Sequence, residues 1–103
     1  MATVKGSTIV ARALKNEGVE IFFYLRGGPI GGIINDCHAV GLKGINTRHE
    51  QASAMEAHAY SRVTGKPGVC MTTAGPGATN AVTGIANALV DCCPVITLGG
   101  SSA

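Results

Sequence analysis

Arg48-His49-Glu50-Gln51 and Gly75-Pro76-Gly77-Ala78-Thr79-Asn80 decide the fold. The first follows the short run Leu42 to Thr47, the second follows Val69 to Thr73, and each run reads as a strand. Each quoted stretch then reads as a turn from a strand end into a helix. If the two strands are parallel neighbours, both turns lie at one edge of one sheet. In open α/β sheets, ligands bind in the crevice outside the carboxyl ends of the strands. The acidic side chain of Glu50 would then face a glycine-rich loop.

Working outward, helix and strand alternate along the whole chain. Ser7 is a plausible N-cap, and Ile9, Val10, Ala13 and Leu14 recur at helical spacing up to Gly18. Glu20 to Leu25 holds the continuous run Ile21-Phe22-Phe23-Tyr24, typical of a strand buried on both faces. The loop Arg26-Gly27-Gly28-Pro29 leads into a helix over Ile30 to Val40, with Pro29 suited to its first turn and Gly41 to its stop. Leu42 to Thr47 reads as a flanking strand. His49 or Glu50 opens a third helix, rich in small residues and stopped by Gly65. Ala78 to Val90 forms a fourth helix, and Pro94 to Leu98 a fourth strand that reads as buried. This pattern predicts an α/β fold, a three-layer doubly wound sheet of mostly parallel strands with helices on both faces.

The 103 residues suffice for one small domain. Hydrophobic residues make up 46% and charged residues 14%, so core is plentiful and surface charge is thin. Such a surface is expected to be covered, either by oligomerisation or because the chain is a piece of a longer one. A formal charge of +2, with no Lys/Arg cluster and few aromatics, gives no case for nucleic acid. Met1 to Ser7 lacks the apolar core of a signal peptide, and no run reaches the roughly 18 apolar residues of a membrane span. A cytoplasmic location with no membrane partner is expected. Cys37, Cys70, Cys92 and Cys93 form no Cys-x-x-Cys pair and are expected to be buried small hydrophobes.

Glu50 is the first candidate for chemistry. In a first helical turn it favours the helix dipole, by roughly 0.3–1 kcal/mol. In a crevice it is instead a carboxylate that gives or takes a proton, since burial disfavours the charged form. The Gly75 loop also has two readings: a tight strand-to-helix turn, or a phosphate cradle. It is not Gly-x-Gly-x-x-Gly, because Asn80 stands where the third glycine would be, and it is not a Walker loop. Arg26, beside two glycines, suits either an anion or a surface turn. His38, His49 and His58 have no ligand spacing, so no metal site is expected on this chain.

Taken together, Arg48 to Gln51, Thr64-Gly65-Lys66-Pro67-Gly68-Val69 and Gly75 to Ala88 closely resemble the N-terminal pyrimidine-binding (Pyr) domain of thiamine-diphosphate-dependent enzymes. Acetolactate synthases, benzaldehyde lyase, oxalyl-CoA decarboxylase and 2-hydroxyacyl-CoA lyase form the most similar group. The resemblance covers Gly6 to Ala103, so residues 1–103 are expected to form one Pyr domain of a longer chain. It implies thiamine diphosphate as cofactor, with Mg²⁺ and the diphosphate held by a second domain, of the same or a partner subunit, in a homodimer or homotetramer. Glu50 matches the cofactor-activating glutamate, whose carboxyl hydrogen-bonds N1′ of the aminopyrimidine. The ring's imino nitrogen then removes the thiazolium C2 proton, and the cofactor carries the chemistry. Pro76 and Asn80 match loop positions that contact the pyrimidine end, and Gly75 and Gly77 shape that loop.

The chain departs from the family in three ways, one being that the diphosphate domain with its Gly-Asp-Gly metal motif is absent from the sequence. The first loop, Phe23-Tyr24-Leu25-Arg26-Gly27-Gly28, replaces the usual Phe-Gly-x-Pro-Gly that faces substrate, so Arg26, Gly27, Gly28 and Pro29 are the substrate candidates. Gly99-Gly100-Ser101-Ser102 resembles the ending of the oxalyl-CoA decarboxylase and 2-hydroxyacyl-CoA lyase branch. The implied reaction is that of a C–C lyase, decarboxylase or carboligase on 2-oxo or 2-hydroxyacyl substrates, with the isolated chain inactive. The competing expectation is a non-catalytic α/β interaction or regulatory domain that keeps the fold.

Overall fold

Helices α1 (Gly6–Asn16), α2 (Gly28–Ala39), α3 (Glu50–Thr64) and α4 (Pro76–Val90) alternate with strands β1 (Ile21–Tyr24), β2 (Lys43–Asn46), β3 (Gly68–Thr72) and β4 (Val95–Gly99). The computed structural model describes residues 2–102. Met1 and Ala103, which the sequence reading counts within the domain, lie outside the described residues. The strands form one sheet in the order β2-β1-β3-β4, and every neighbouring pair is parallel. All four carboxyl ends therefore share one edge, with Tyr24 opposite both Asn46 and Met71, and Thr72 opposite Gly99.

Alternation along β3 sorts the core into two layers, because successive side chains point to opposite faces. Val69 and Met71 pack with Ala11, Leu14, Ile30 and Ile34 of α1 and α2. Cys70, between them, packs with Ala54, Ala57 and Ala81 of α3 and α4. The β1 pair Phe22 and Phe23 splits the same way, which confirms a strand buried on both faces. The helices thus cover both faces, as the composition of the strands predicts.

Small residues set the spacing of the second layer. A Cβ on Gly84 of α4 would fall 2.6 Å from Ala54 Cβ and 3.1 Å from the Gln51 carbonyl oxygen of α3. Only a bare backbone lets the two helices approach so closely. Both helix N-termini, with Glu50 on one and Pro76-Gly77 on the other, are held side by side in consequence.

Four local expectations need correction. Ser7 does not cap α1; the N-cap is Lys5, and the Ser7 and Thr8 hydroxyls instead donate to Asp36 Oδ2 at 2.7 and 2.9 Å, tying α1 to α2. Helix α4 starts at Pro76 rather than Ala78, because the fixed φ of proline suits a first helical position. Strand β4 lies at the sheet edge and is only partly buried, with Ile96 41% exposed. Cys37 and Cys70 are buried, but Cys92 is exposed and Cys93 only half-buried. Both fall in the turn after α4, where Cys92 takes a left-handed φ of 54°.

Candidate functional site

Glu50 is the first residue of α3 and is buried. The turn that carries it is pinned from below. Thr47 Oγ1 lies 2.6 Å from Ser53 Oγ and 3.0 Å from the His49 carbonyl oxygen, and both hydroxyl residues are buried. His49 caps the helix, its Nδ1 accepting from the Gln51 backbone N–H at 3.1 Å. Neither Thr47 nor Ser53 stands out in the sequence reading. Their signal is a strand-end threonine followed six residues later by a serine, a pattern too common to single out alone.

The facing loop is built by glycine and proline. Gly75 has φ 63° and ψ −118°, a conformation that favours glycine, and Pro76 then starts α4. From the second turn of α4, Asn80 Nδ2 donates to Glu50 Oε2 at 3.1 Å. A Cβ on Gly77 would fall 3.3 Å from Glu50 Oε1 and 2.7 Å from Thr73 Cγ2. Gly77 therefore keeps one carboxyl oxygen uncovered, while Asn80 holds the other. The expected juxtaposition of Glu50 with the glycine loop is a feature of the structure.

Thr73, unremarked in the sequence, joins the two loops. A Cβ on Gly27 would overlap Thr73 Oγ1 at 2.3 Å, so Gly27, Thr73 and Gly77 form one packed row at the strand ends. The other loop residues are exposed. Arg26 is exposed and lies along the first turn of α2, its Nη2 3.6 Å from the Cβ position of Gly31. Gly28 and Pro29 are exposed, and Pro29 backs onto Gly100, where a Cβ would lie 2.8 Å away. Of the predicted site residues, Glu50, Gly77, Asn80 and Gly27 come together. Gly75 and Pro76 are exposed on the loop, and Asn80 is exposed as well apart from its bond to Glu50.

The ground under Glu50 is apolar. Burial pushes the Cys70 thiol up to about 12, and the nearby Glu50 charge adds to the shift. Such a thiol is protonated and inert, so Cys70 is a packing group. Two of the histidines have structural settings: His38 packs tilted against Phe22 and edge-on to Tyr24, and His49 is a cap. Asp91 accepts from Arg62 Nη1 at 3.0 Å at the far end of α3 and α4. Among the described residues no group of three or more His, Cys, Asp or Glu could hold a metal ion, and no helix is long and apolar enough to cross a membrane. A cavity of about 550 Å³ opens at the opposite edge, lined by Leu14, Val19 and Ile21 and flanked by the Glu20–Lys66 ion pair. It is remote from the Gly75 loop and presents no comparable buried carboxylate.

A buried carboxylate at one helix N-terminus, facing a glycine turn at the next, defines an α/β ligand-binding domain that uses the carboxyl edge of a parallel sheet. Residues 4–103 match the family described as thiamine pyrophosphate enzyme, N-terminal TPP binding domain. The chain is 43% identical over 97 residues to the acetolactate synthase isozyme 2 large subunit of Escherichia coli, an alignment covering 94% of this chain and 18% of that protein. It is 42% identical over 99 residues to mouse 2-hydroxyacyl-CoA lyase 1, covering 96% of this chain and 17% of the relative. A probable acetolactate synthase large subunit of Methanocaldococcus jannaschii is 46% identical over 97 residues, covering 94% and 16%. The chain belongs to the thiamine pyrophosphate enzyme N-terminal domain family, and it spans less than a fifth of the length of these relatives.

Proposed function

We propose that this chain is the pyrimidine-binding half of a thiamine-diphosphate-dependent C–C lyase, decarboxylase or carboligase acting on 2-oxo or 2-hydroxyacyl substrates. One observation carries the reading: Glu50 is buried at the helix N-terminus with one carboxyl oxygen bonded to Asn80 and the other open above Gly77. The fit to an aminopyrimidine ring follows from that donor set. A ring nitrogen needs one carboxyl oxygen in a dry setting, and the bare Gly77 leaves room for a flat ring where any side chain would intrude.

When bound, the cofactor supplies the carbanion-stabilising chemistry. Glu50 holds or moves a proton at Oε1, facing the ring. Buried Cys70, near Glu50 and packed in the Ala54, Ala57 and Ala81 layer, keeps the ground beneath it dry. Gly75, Pro76 and Gly77 shape the wall against which the ring lies, and Thr73 fixes the spacing of that wall from Gly27. Arg26, Gly28 and Pro29, exposed on the loop after β1, are our candidates to meet substrate, and the guanidinium of Arg26 suits an acidic one.

Mg²⁺ needs acidic oxygen ligands, and among the described residues no group of three or more His, Cys, Asp or Glu could hold a metal ion; we assign Mg²⁺, and the diphosphate it accompanies, to a second domain of the same or a partner subunit. Val63, Val82, Leu89 and Val90 of α3 and α4 are all more than half exposed, which suits such a partner in a homodimer or homotetramer. The test is titration of thiamine diphosphate with Mg²⁺ into this chain alone and together with the diphosphate-binding domain, followed by heat. Binding in the combined sample and none to the chain alone is expected. No binding in either sample would favour an interaction domain that keeps the fold without the chemistry.

A further inference from the structure

Asn80 reaches Glu50 from a different helix. Its Nδ2 donates to Oε2 at 3.1 Å, while Oε1 faces Gly77. The two oxygens of the carboxyl group are thereby made unequal. One is committed to a neutral amide on α4; the other looks over the one loop position with no side chain in the way. A free carboxyl group turns about its last bond and offers either oxygen. Holding Oε2 removes that freedom, and an N–H donated to a carboxylate is among the stronger hydrogen bonds.

We propose that Asn80 is a positioning residue that acts through Glu50, clamping Oε2 so that Oε1 alone is presented to the ring nitrogen of an aminopyrimidine ligand. This refines the looser expectation that Asn80 contacts the ring itself, and it rests on the reading of Glu50 given above. The donor sits on α4 and the acceptor on α3. The aim of Glu50 therefore depends on the close packing of those helices at Gly84 and Ala54.

A double-mutant cycle in the full-length enzyme tests the clamp. Asn80→Ala, Asn80→Asp and Glu50→Gln are made singly, and each Asn80 variant is combined with Glu50→Gln. Thiamine diphosphate affinity is measured by calorimetric titration beside turnover. Asn80→Ala is expected to lower kcat/KM by about ten- to a hundredfold, the span of a lost hydrogen bond to a charged group. Asn80→Asp keeps the shape of the side chain but sets a like charge against Glu50, so it is expected to lose more than Asn80→Ala. In the Glu50→Gln background only a neutral hydrogen bond is left to lose and no proton is held at position 50, so Asn80→Ala is expected to lower affinity and turnover by a clearly smaller factor than in wild type. The same loss in both backgrounds, or an Asn80→Asp enzyme as good as wild type, overturns the clamp. Wild-type turnover in Glu50→Gln alone defeats the reading beneath it, so the two failures are told apart. Melting of each cofactor-free variant checks that the fold is intact.

Discussion

Replacing Gly84 by alanine should loosen this domain, against the usual direction of such a change. In a helix interior Gly→Ala ordinarily stabilises by roughly 0.5–1 kcal/mol, because glycine loses more backbone freedom on folding. At Gly84 the added methyl carbon would stand 2.6 Å from Ala54 Cβ and 3.1 Å from both the Gln51 carbonyl oxygen and the Met55 nitrogen. Carbon atoms rest at about 3.5–4.0 Å, so α3 and α4 must separate by roughly 1 Å. Overpacking of this kind costs about 1–3 kcal/mol. Set against the helix gain, the net loss is about 1 kcal/mol, or about 4–8 °C in melting temperature for a domain of this size. Urea and thermal unfolding followed by far-ultraviolet circular dichroism measure it. Adding Ala54→Gly to Gly84→Ala removes the nearest clash, so the double variant should lose less than the two single losses summed. A Gly84→Ala protein that melts at or above the wild type would refute the argument that the missing side chain sets the helix spacing.

Two further expectations concern charge and thiols. Asp36 accepts from Ser7 and Thr8, and these bonds hold its carboxyl below the usual 3.8. Its contribution to stability is therefore full above pH 3.8 and lost as pH falls through the lower folded value. Asp36→Asn should unfold at lower urea than wild type at neutral pH, with the gap closing in acid; a gap constant across pH would contradict this. Burial pushes the Cys37 thiol up to about 11 and the Cys70 thiol up to about 12. A thiol-exchange reagent should label exposed Cys92 in the native protein and reach Cys37 and Cys70 only on unfolding. Rapid native labelling of Cys37 would show that the α1–α2 layer opens.

Much of this architecture is legible in the residues. The uninterrupted Ile21-Phe22-Phe23-Tyr24 run announces a strand buried on both faces, and Gly65 closes α3 with φ 70° in its predicted place. Pairing the turns at Glu50 and Gly75 follows from helix–strand alternation, because parallel strands carry their carboxyl ends to one edge. Side-chain partners are less legible. Ser7 resembles a cap by position, yet Asp36, far along the chain, draws its hydroxyl away. Thr73, Thr47 and Ser53 are ordinary residues by type and gain meaning only from what they touch. The Cys92–Cys93 pair looks apolar in composition, but the end of α4 leaves it in a turn. The lie of Arg26 along the first turn of α2 is likewise set by how that helix begins, which no local pattern fixes.

The proposed proton chemistry rests on Glu50, and turnover of Glu50→Gln in the full-length enzyme tests it most directly. Glutamine keeps the size of the side chain and can still accept from Asn80, but it cannot take up a proton. The expected result is a fold unchanged by circular dichroism and a turnover lowered by at least about a hundredfold, the lower range for loss of a positioned acid–base group. Turnover close to wild type, with saturating cofactor, would contradict it.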